Sequence, residues 1–202
     1  MNALAPLIAE TASALGMDPV DLATIISYET AGTFSPTIAG PTTQWGQHRG
    51  LIQWGEPQAR EYGVDWNDPV GSQLGADGAI ARYFRGRGWQ PGMDGMQAYS
   101  IVNAGSPGRF NASDAANGGM PGTVADKWTT QMADHRRNAL SMLGGHFSPA
   151  PGSGMPTGEA VQGAQQPGPE PINALRAMAV MQRMQPRQRR LDPADFMQRR
   201  TI

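Results

Sequence analysis

Glu29 occupies a position that the local pattern reserves for an apolar side chain. Leu22, Ile25 and Ile26 recur at helical spacing, and the next position of that stripe, seven residues after Leu22, is Glu29. Asp18-Pro19 supplies a cap and a first-turn proline for this helix, which ends before Gly32 and leaves Glu29 in its last turn. Apolar surroundings and the negative end of the helix dipole both disfavour an ionised carboxylate there. A carboxylic acid that keeps its proton near neutral pH is equipped for general-acid catalysis. The plainer alternative is an edge position from which the side chain reaches water.

Other chemistries find little support. His48, His135 and His146 are far apart in sequence, and neither an HExxH pattern nor a carboxylate cluster accompanies them, so no metal site is expected. The chain has no cysteine, which removes disulfides, thiol nucleophiles and zinc–thiolate sites. A Gly-x-Ser-x-Gly elbow is missing, and Gly86-Arg87-Gly88 and Gly118-Gly119 do not fit a phosphate loop. No cofactor is expected.

The elements that must position Glu29 read as helical. Apolar residues Leu4, Leu7, Ile8, Ala12 and Leu15 form a first helix, capped by Asn2 and stopped at Gly16. Asp68-Pro69 repeats the start signal ahead of Leu74 and Ala81-Arg82-Tyr83-Phe84, and a shorter helix covers about 93–102. Thr123 and Asp126 form a capping-box-like start for one long helix through Leu143, with Val124, Trp128, Met132, His135, Ala139 and Met142 on its stripe. Strand alternation is absent apart from room for a small hairpin within 37–56. The expected fold is mainly α.

Composition divides the 202 residues. Residues 1–147 hold 9 Lys/Arg against 13 Asp/Glu, whereas residues 148–202 hold 7 arginines against 4 acids. Residues 148–171 contain 6 Pro and 5 Gly and too few apolar side chains to offset their ordering entropy, so they read as a linker. Residues 172–202 carry Leu175, Met178, Met181 and Met184 on one edge, with Arg187, Arg189 and Arg190 beyond. They read as a short helix and a basic, Met-rich partner-binding tail. With a net charge of −1, nothing in the total calls for nucleic acid, and no apolar run approaches a membrane span. Arg82, Arg85 and Arg87 beside Trp89 read as a solvated face. The start Met1-Asn2-Ala3-Leu4 lacks the features of a secretory leader, so synthesis in the cytoplasm is expected.

Three segments then fall in order: Glu29-Thr30-Ala31-Gly32-Thr33-Phe34-Ser35-Pro36, Gly50-Leu51-Ile52-Gln53-Trp54-Gly55, and Ala98-Tyr99-Ser100-Ile101-Val102-Asn103-Ala104-Gly105. This series resembles the lytic transglycosylases and goose-type lysozymes of the lysozyme-like superfamily. Their signature is a helix-ending catalytic Glu with a Phe-x-Pro-like turn, then Gly-Leu-(Met/Ile)-Gln, then Ala-Tyr-Asn-Ala-Gly. Residues 109–114 and 117–124 look like phage-encoded members of the group. Two departures stand out: the polar stretch Thr37–Arg49, with Trp45 and His48, separates the first two motifs, and three residues part Tyr99 from Asn103. Tyr99 and Asn103 share a helix face at i and i+4, and the sequence leaves open which of them does the family's Tyr/Asn work.

The resemblance implies a lysozyme-like helical domain over 1–147 and cleavage of the β-1,4 bond between N-acetylmuramic acid and N-acetylglucosamine in peptidoglycan. Glu29 would be the catalytic acid, with Gln53, Tyr99, Asn103 and Trp45 binding substrate. Each has a plainer reading: Gln53 as a loop-capping amide, Tyr99 as a core tyrosine, and Trp45, like Trp54, as core. Without a persuasive second carboxylate among Glu56, Glu61, Asp65 and Asp68, lytic transglycosylation is favoured over a hydrolytic muramidase. The setting implied is a bacteriophage particle, made in the host cytoplasm, that opens the periplasmic cell wall locally. Glycan strands would be the substrate, and residues 172–202 would hold other virion proteins. The rival reading is a structural virion protein that uses an inactive or murein-binding domain for docking.

Overall fold

The computed structural model describes residues 4–117 and 119–144. The linker and tail expected at 148–171 and 172–202, the Asn2 cap and His146 lie outside the described residues. The described part is mainly helical with one small hairpin.

Helix α1 (Leu4–Leu15) buries Ile8, Ala12 and Leu15, and Gly16 at φ +59 turns the chain out of it. Helix α2 (Pro19–Glu29) begins as its sequence dictates: the Asp18 side chain accepts from Val20 N at 2.8 Å, and Pro19 occupies the first turn. The striped face expected for α2 understates its burial. Every residue from Val20 to Ser27 is buried, because α1, a helix at Gly95–Ala104 and another at Ala133–Met142 all pack against it. Glu29 is therefore secluded as the end of a central helix rather than as part of one apolar edge.

Strands β1 (Ala39–Thr43) and β2 (Gly46–Arg49) pair antiparallel, with Thr43 opposite Gly46 and Ala39 opposite Arg49. The register shifts between Ala39 and Thr42, where Pro41 has no N–H to donate. Helix α3 (Glu56–Glu61) follows.

Two expectations need correction. Asp68-Pro69 does not start a helix. Asp68 Oδ1 accepts only from Gly71 N, at 3.0 Å, and the chain continues in turns until α4 (Ala79–Gly86). The reason is Gln73, fully buried inside those turns. Its Oε1 accepts from Leu51 N and Trp54 Nε1, both at 2.9 Å, and its Nε2 donates to Pro36 O at 2.8 Å and Pro69 O at 2.6 Å. A hub with four partners outside any helix holds this stretch more firmly than helix propensity would.

Helix α5 (Gly95–Ala104) starts at a capping box between Asp94 and Gln97 and ends at Gly105, φ +79. Gly95 sits so close to the core that a Cβ there would lie 2.3 Å from Trp128 Cζ2 and 2.6 Å from Asp21 Cγ. The single helix expected through Leu143 is broken. Thr123 and Asp126 do form a capping box, but α6 (Val124–Asp126) passes into a π turn over Lys127–Gln131 before α7 (Ala133–Met142). Thr129 Oγ1 donates back to Ala125 O at 2.7 Å and Met132 N bonds Lys127 O at 3.1 Å, so side chains and a widened ladder replace regular bonds.

Candidate active site

Glu29 closes α2 and is followed by a turn whose backbone is held in unusual conformations. Ala31, Gly32 and Phe34 all have positive φ, of 50°, 80° and 54°. Such geometry persists only where the surroundings over-determine it. Here Gly32 N donates to Ser27 O at 2.7 Å, Thr30 Oγ1 donates to Ile26 O at 2.7 Å, and Phe34 N donates to Thr30 Oγ1 at 3.0 Å. With Phe34 buried, the turn is pinned at both ends. Ser27 and Thr30 point away from the acid, as expected of helix neighbours.

The Glu29 side chain is half-buried, and among the described residues none donates a hydrogen bond to its carboxyl. Burial, reinforced by the negative charge of Asp114 and opposed by Lys127, pushes its pKa up to about 8. The expected retention of a proton near neutrality thus has a cause in the structure, chiefly desolvation.

Helix α5 brings Tyr99 and Asn103 to the same place. Tyr99 is 1 % exposed and its ring edge meets Tyr28 with centroids 5.6 Å apart. Asn103 Nδ2 donates to the Tyr99 hydroxyl at 3.3 Å and to Asp114 Oδ2 at 2.7 Å. The i, i+4 pair is therefore joined directly across the three residues between them. Asn103 Oδ1 is buried without a partner among the described residues. Burial raises the phenols of Tyr28, Tyr99 and Tyr83, and the Glu29 charge adds to each shift, which places all three near the acid's field.

Gln53 and Trp45 have contacts of their own in the hairpin and the loop after it. Gln53, at φ +53, braces its own loop: Nε2 donates to Gly50 O at 3.2 Å and reaches Ile38 O at 3.5 Å. Among the described residues its Oε1 is buried without a partner, and a Cβ on Gly40 would lie 1.8 Å from it. Trp45 is in the hairpin turn, 55 % exposed, and its backbone oxygen accepts from Glu56 N at 2.9 Å. Its expected alternative as a core residue is wrong, because a turn residue on a two-stranded hairpin has nothing above it to pack under. Trp54 is core, 1 % exposed and tied to Gln73.

Sequence reading missed Asp114 and Lys127. Lys127 is buried in the π turn and forms an ion pair with Asp114, whose other oxygen takes Asn103. Asp114 stands 85 positions after Glu29 in the chain, on a loop without helical or strand periodicity, so spacing gives no signal. Lys127 opens the largely polar stretch Lys127-Trp128-Thr129-Thr130-Gln131, which gives no sign of burial.

Among the described residues no cluster of His, Asp and Glu has the makings of a metal site, and no helix is long and apolar enough to cross a membrane. Compared with known proteins, the chain matches no family model, no curated protein and no solved structure.

Proposed function

We propose that residues 1–147 form a peptidoglycan-cleaving enzyme that acts by lytic transglycosylation, with Glu29 as its single catalytic carboxyl. The observation that carries this reading is Glu29 itself: a half-buried acid at the end of the central helix, unpartnered, with its pKa pushed up to about 8. At neutral pH it holds the proton that a leaving glycosidic oxygen needs.

In the reaction, the Glu29 proton passes to the glycosidic oxygen as the bond from the muramic acid C1 to that oxygen breaks. Positive charge develops at C1. The sugar's own 6-hydroxyl oxygen then bonds to C1, and its proton returns to the Glu29 carboxylate, which closes a 1,6-anhydro ring. No water is consumed and the acid is regenerated. Among the described residues, Asp114 is the carboxylate whose charge raises Glu29, and both of its oxygens are engaged, by Lys127 and by Asn103. A carboxylate so occupied is poorly placed to activate water, which favours the single-acid route over hydrolysis.

The setting in a bacteriophage particle, with entry through the host wall, rests on the resemblance of residues 109–114 and 117–124 to phage-encoded proteins. The test is digestion of purified sacculi by the full-length protein, with mass spectrometry of the products. Anhydro-muramyl ends that vanish with Glu29→Gln are expected. Reducing ends one water heavier would point to a muramidase, and intact sacculi with folded, murein-bound protein would leave a docking module.

A further inference from the structure

The buried ion pair beside the acid has no place in the proton transfers above. Lys127 is 1 % exposed and Asp114 32 %. A lysine so deep in a core loses most of its hydration and is retained as a cation only when a partner compensates. Asp114 is that partner, and it also accepts from Asn103 Nδ2, which in turn reaches the Tyr99 hydroxyl. Asp114 Oδ2 accepts from the Asn103 NH2, which keeps Asn103 Oδ1 turned away. One chain of contacts thus runs from the π turn to α5.

We propose that Lys127 and Asp114 are the positioning residues of this site: the buried Lys127 side chain fixes Asp114 in place, and Asp114 holds Asn103 and, through it, Tyr99 beside Glu29. The role given to Glu29 rests on the function proposed above. The pair also sets two opposed charges in the acid's field, Asp114 favouring the protonated form and Lys127 the ionised one, with Asp114 the stronger. The other groups facing Glu29 are the phenols of Tyr28 on its own helix, Tyr83 on α4 and Tyr99 on α5, all held neutral by burial. Lys127 itself is still in regular helical geometry, its N–H bonded to Thr123 O at 2.9 Å, and it shares the buried face with Val124 and Trp128.

The two charges predict changes of opposite sign. Carbon-13 labelling of glutamate carboxyls in the full-length protein, with Glu29 assigned by its loss in Glu29→Gln, reports its titration without any need for activity. The wild-type midpoint is expected near 8. Asp114→Asn should lower it by about one pH unit or more, and Lys127→Gln should raise it by a similar amount. The double variant should fall between them, slightly below wild type. The basic limb of the murein-cleavage profile should move with the midpoint. If either variant fails to fold, the other still decides by the sign of its shift. Midpoints that stay put in a folded variant, or move the same way in both single variants, overturn the inference even if murein is cleaved. Opposite shifts in a protein that leaves sacculi intact uphold the pair and sink the transglycosylase reading instead.

Discussion

Asp21 and Arg136 meet across the seam between α2 and α7, with Arg136 Nη1 2.8 Å from Asp21 Oδ1 and the two side chains 14 % and 4 % exposed, arginine first. Gly95 lies against the same carboxyl, so α2, α5 and α7 converge there. The pair anchors the far end of the helix whose last residue is Glu29. Ser27 Oγ to His135 Nδ1 at 3.0 Å and the Tyr28 hydroxyl to Gln131 Oε1 at 2.8 Å carry the same seam toward the acid. A rigid, many-sided grip on α2 fixes where its last turn, and hence Glu29, can be.

Arg136→Met should expose how much that anchor matters. It leaves Asp21 buried without its guanidinium, a change that costs about 3–5 kcal/mol at pH 7. Burial already raises the Asp21 carboxyl despite Arg136, and removing the arginine raises it further. A raised carboxyl binds a proton more tightly in the folded than in the unfolded chain, so lowering the pH stabilises the variant relative to neutral conditions. Urea denaturation at pH 7 and at pH 5 is the measurement. The deficit against wild type should shrink at pH 5, and a deficit independent of pH would mean that Asp21 is not the group left stranded.

Glu29→Gln makes a second linkage test. In the folded protein the acid has a pKa near 8 against an ordinary value of 4.5, so folding holds a proton that the unfolded chain gives up between those pH values. Below about pH 4.5 both states are protonated and the glutamine has little to change. As pH rises toward 8 the wild type loses stability that the variant keeps, and above 8 the gap is constant. Allowing for the partial exposure of Glu29, the gain at pH 8 is on the order of 2 kcal/mol. Thermal unfolding across pH 4–9 should show the two curves diverging over that interval. Parallel curves would place Glu29 in ordinary water and remove the basis for its acid role.

What was legible in the sequence is what short-range physics decides. Asp18-Pro19, Gly16 and Thr123 with Asp126 act within one turn of chain, and the structure uses them as caps and stops. The seclusion of Glu29 was legible because an acid takes the position that continues the stripe of Leu22, Ile25 and Ile26. Gln73 was not, since its partners Pro36 and Leu51 lie 37 and 22 residues away and only the fold brings them together. The Asp68-Pro69 signal was overridden by that hub. Asp114 and Lys127 were invisible for the same reason: one sits in an aperiodic loop, and the other is buried against a partner 13 residues away on that loop. Local rules see caps and stripes, and a site assembled from α2, α5 and a loop between α5 and α6 is a product of tertiary contact.

Trp45 separates stability from recognition. At 55 % exposed in the hairpin turn it buries little area, so Trp45→Ala should alter folding stability by no more than about 0.5 kcal/mol. A large exposed ring on a pinned turn is nevertheless suited to stacking on the apolar face of a sugar, and little ordering entropy is lost because the turn is already fixed by the Glu56 N to Trp45 O bond of 2.9 Å. If the hairpin borders the glycan path, losing that stacking should weaken murein binding roughly tenfold, about 1.4 kcal/mol, with turnover at saturation little changed because Glu29 is untouched. Co-sedimentation with sacculi, in the Glu29→Gln background to exclude the cleavage proposed above, measures this directly. Unaltered binding by folded Trp45→Ala protein would assign the exposed ring to some other contact and confine glycan recognition to the Tyr99–Asn103 side.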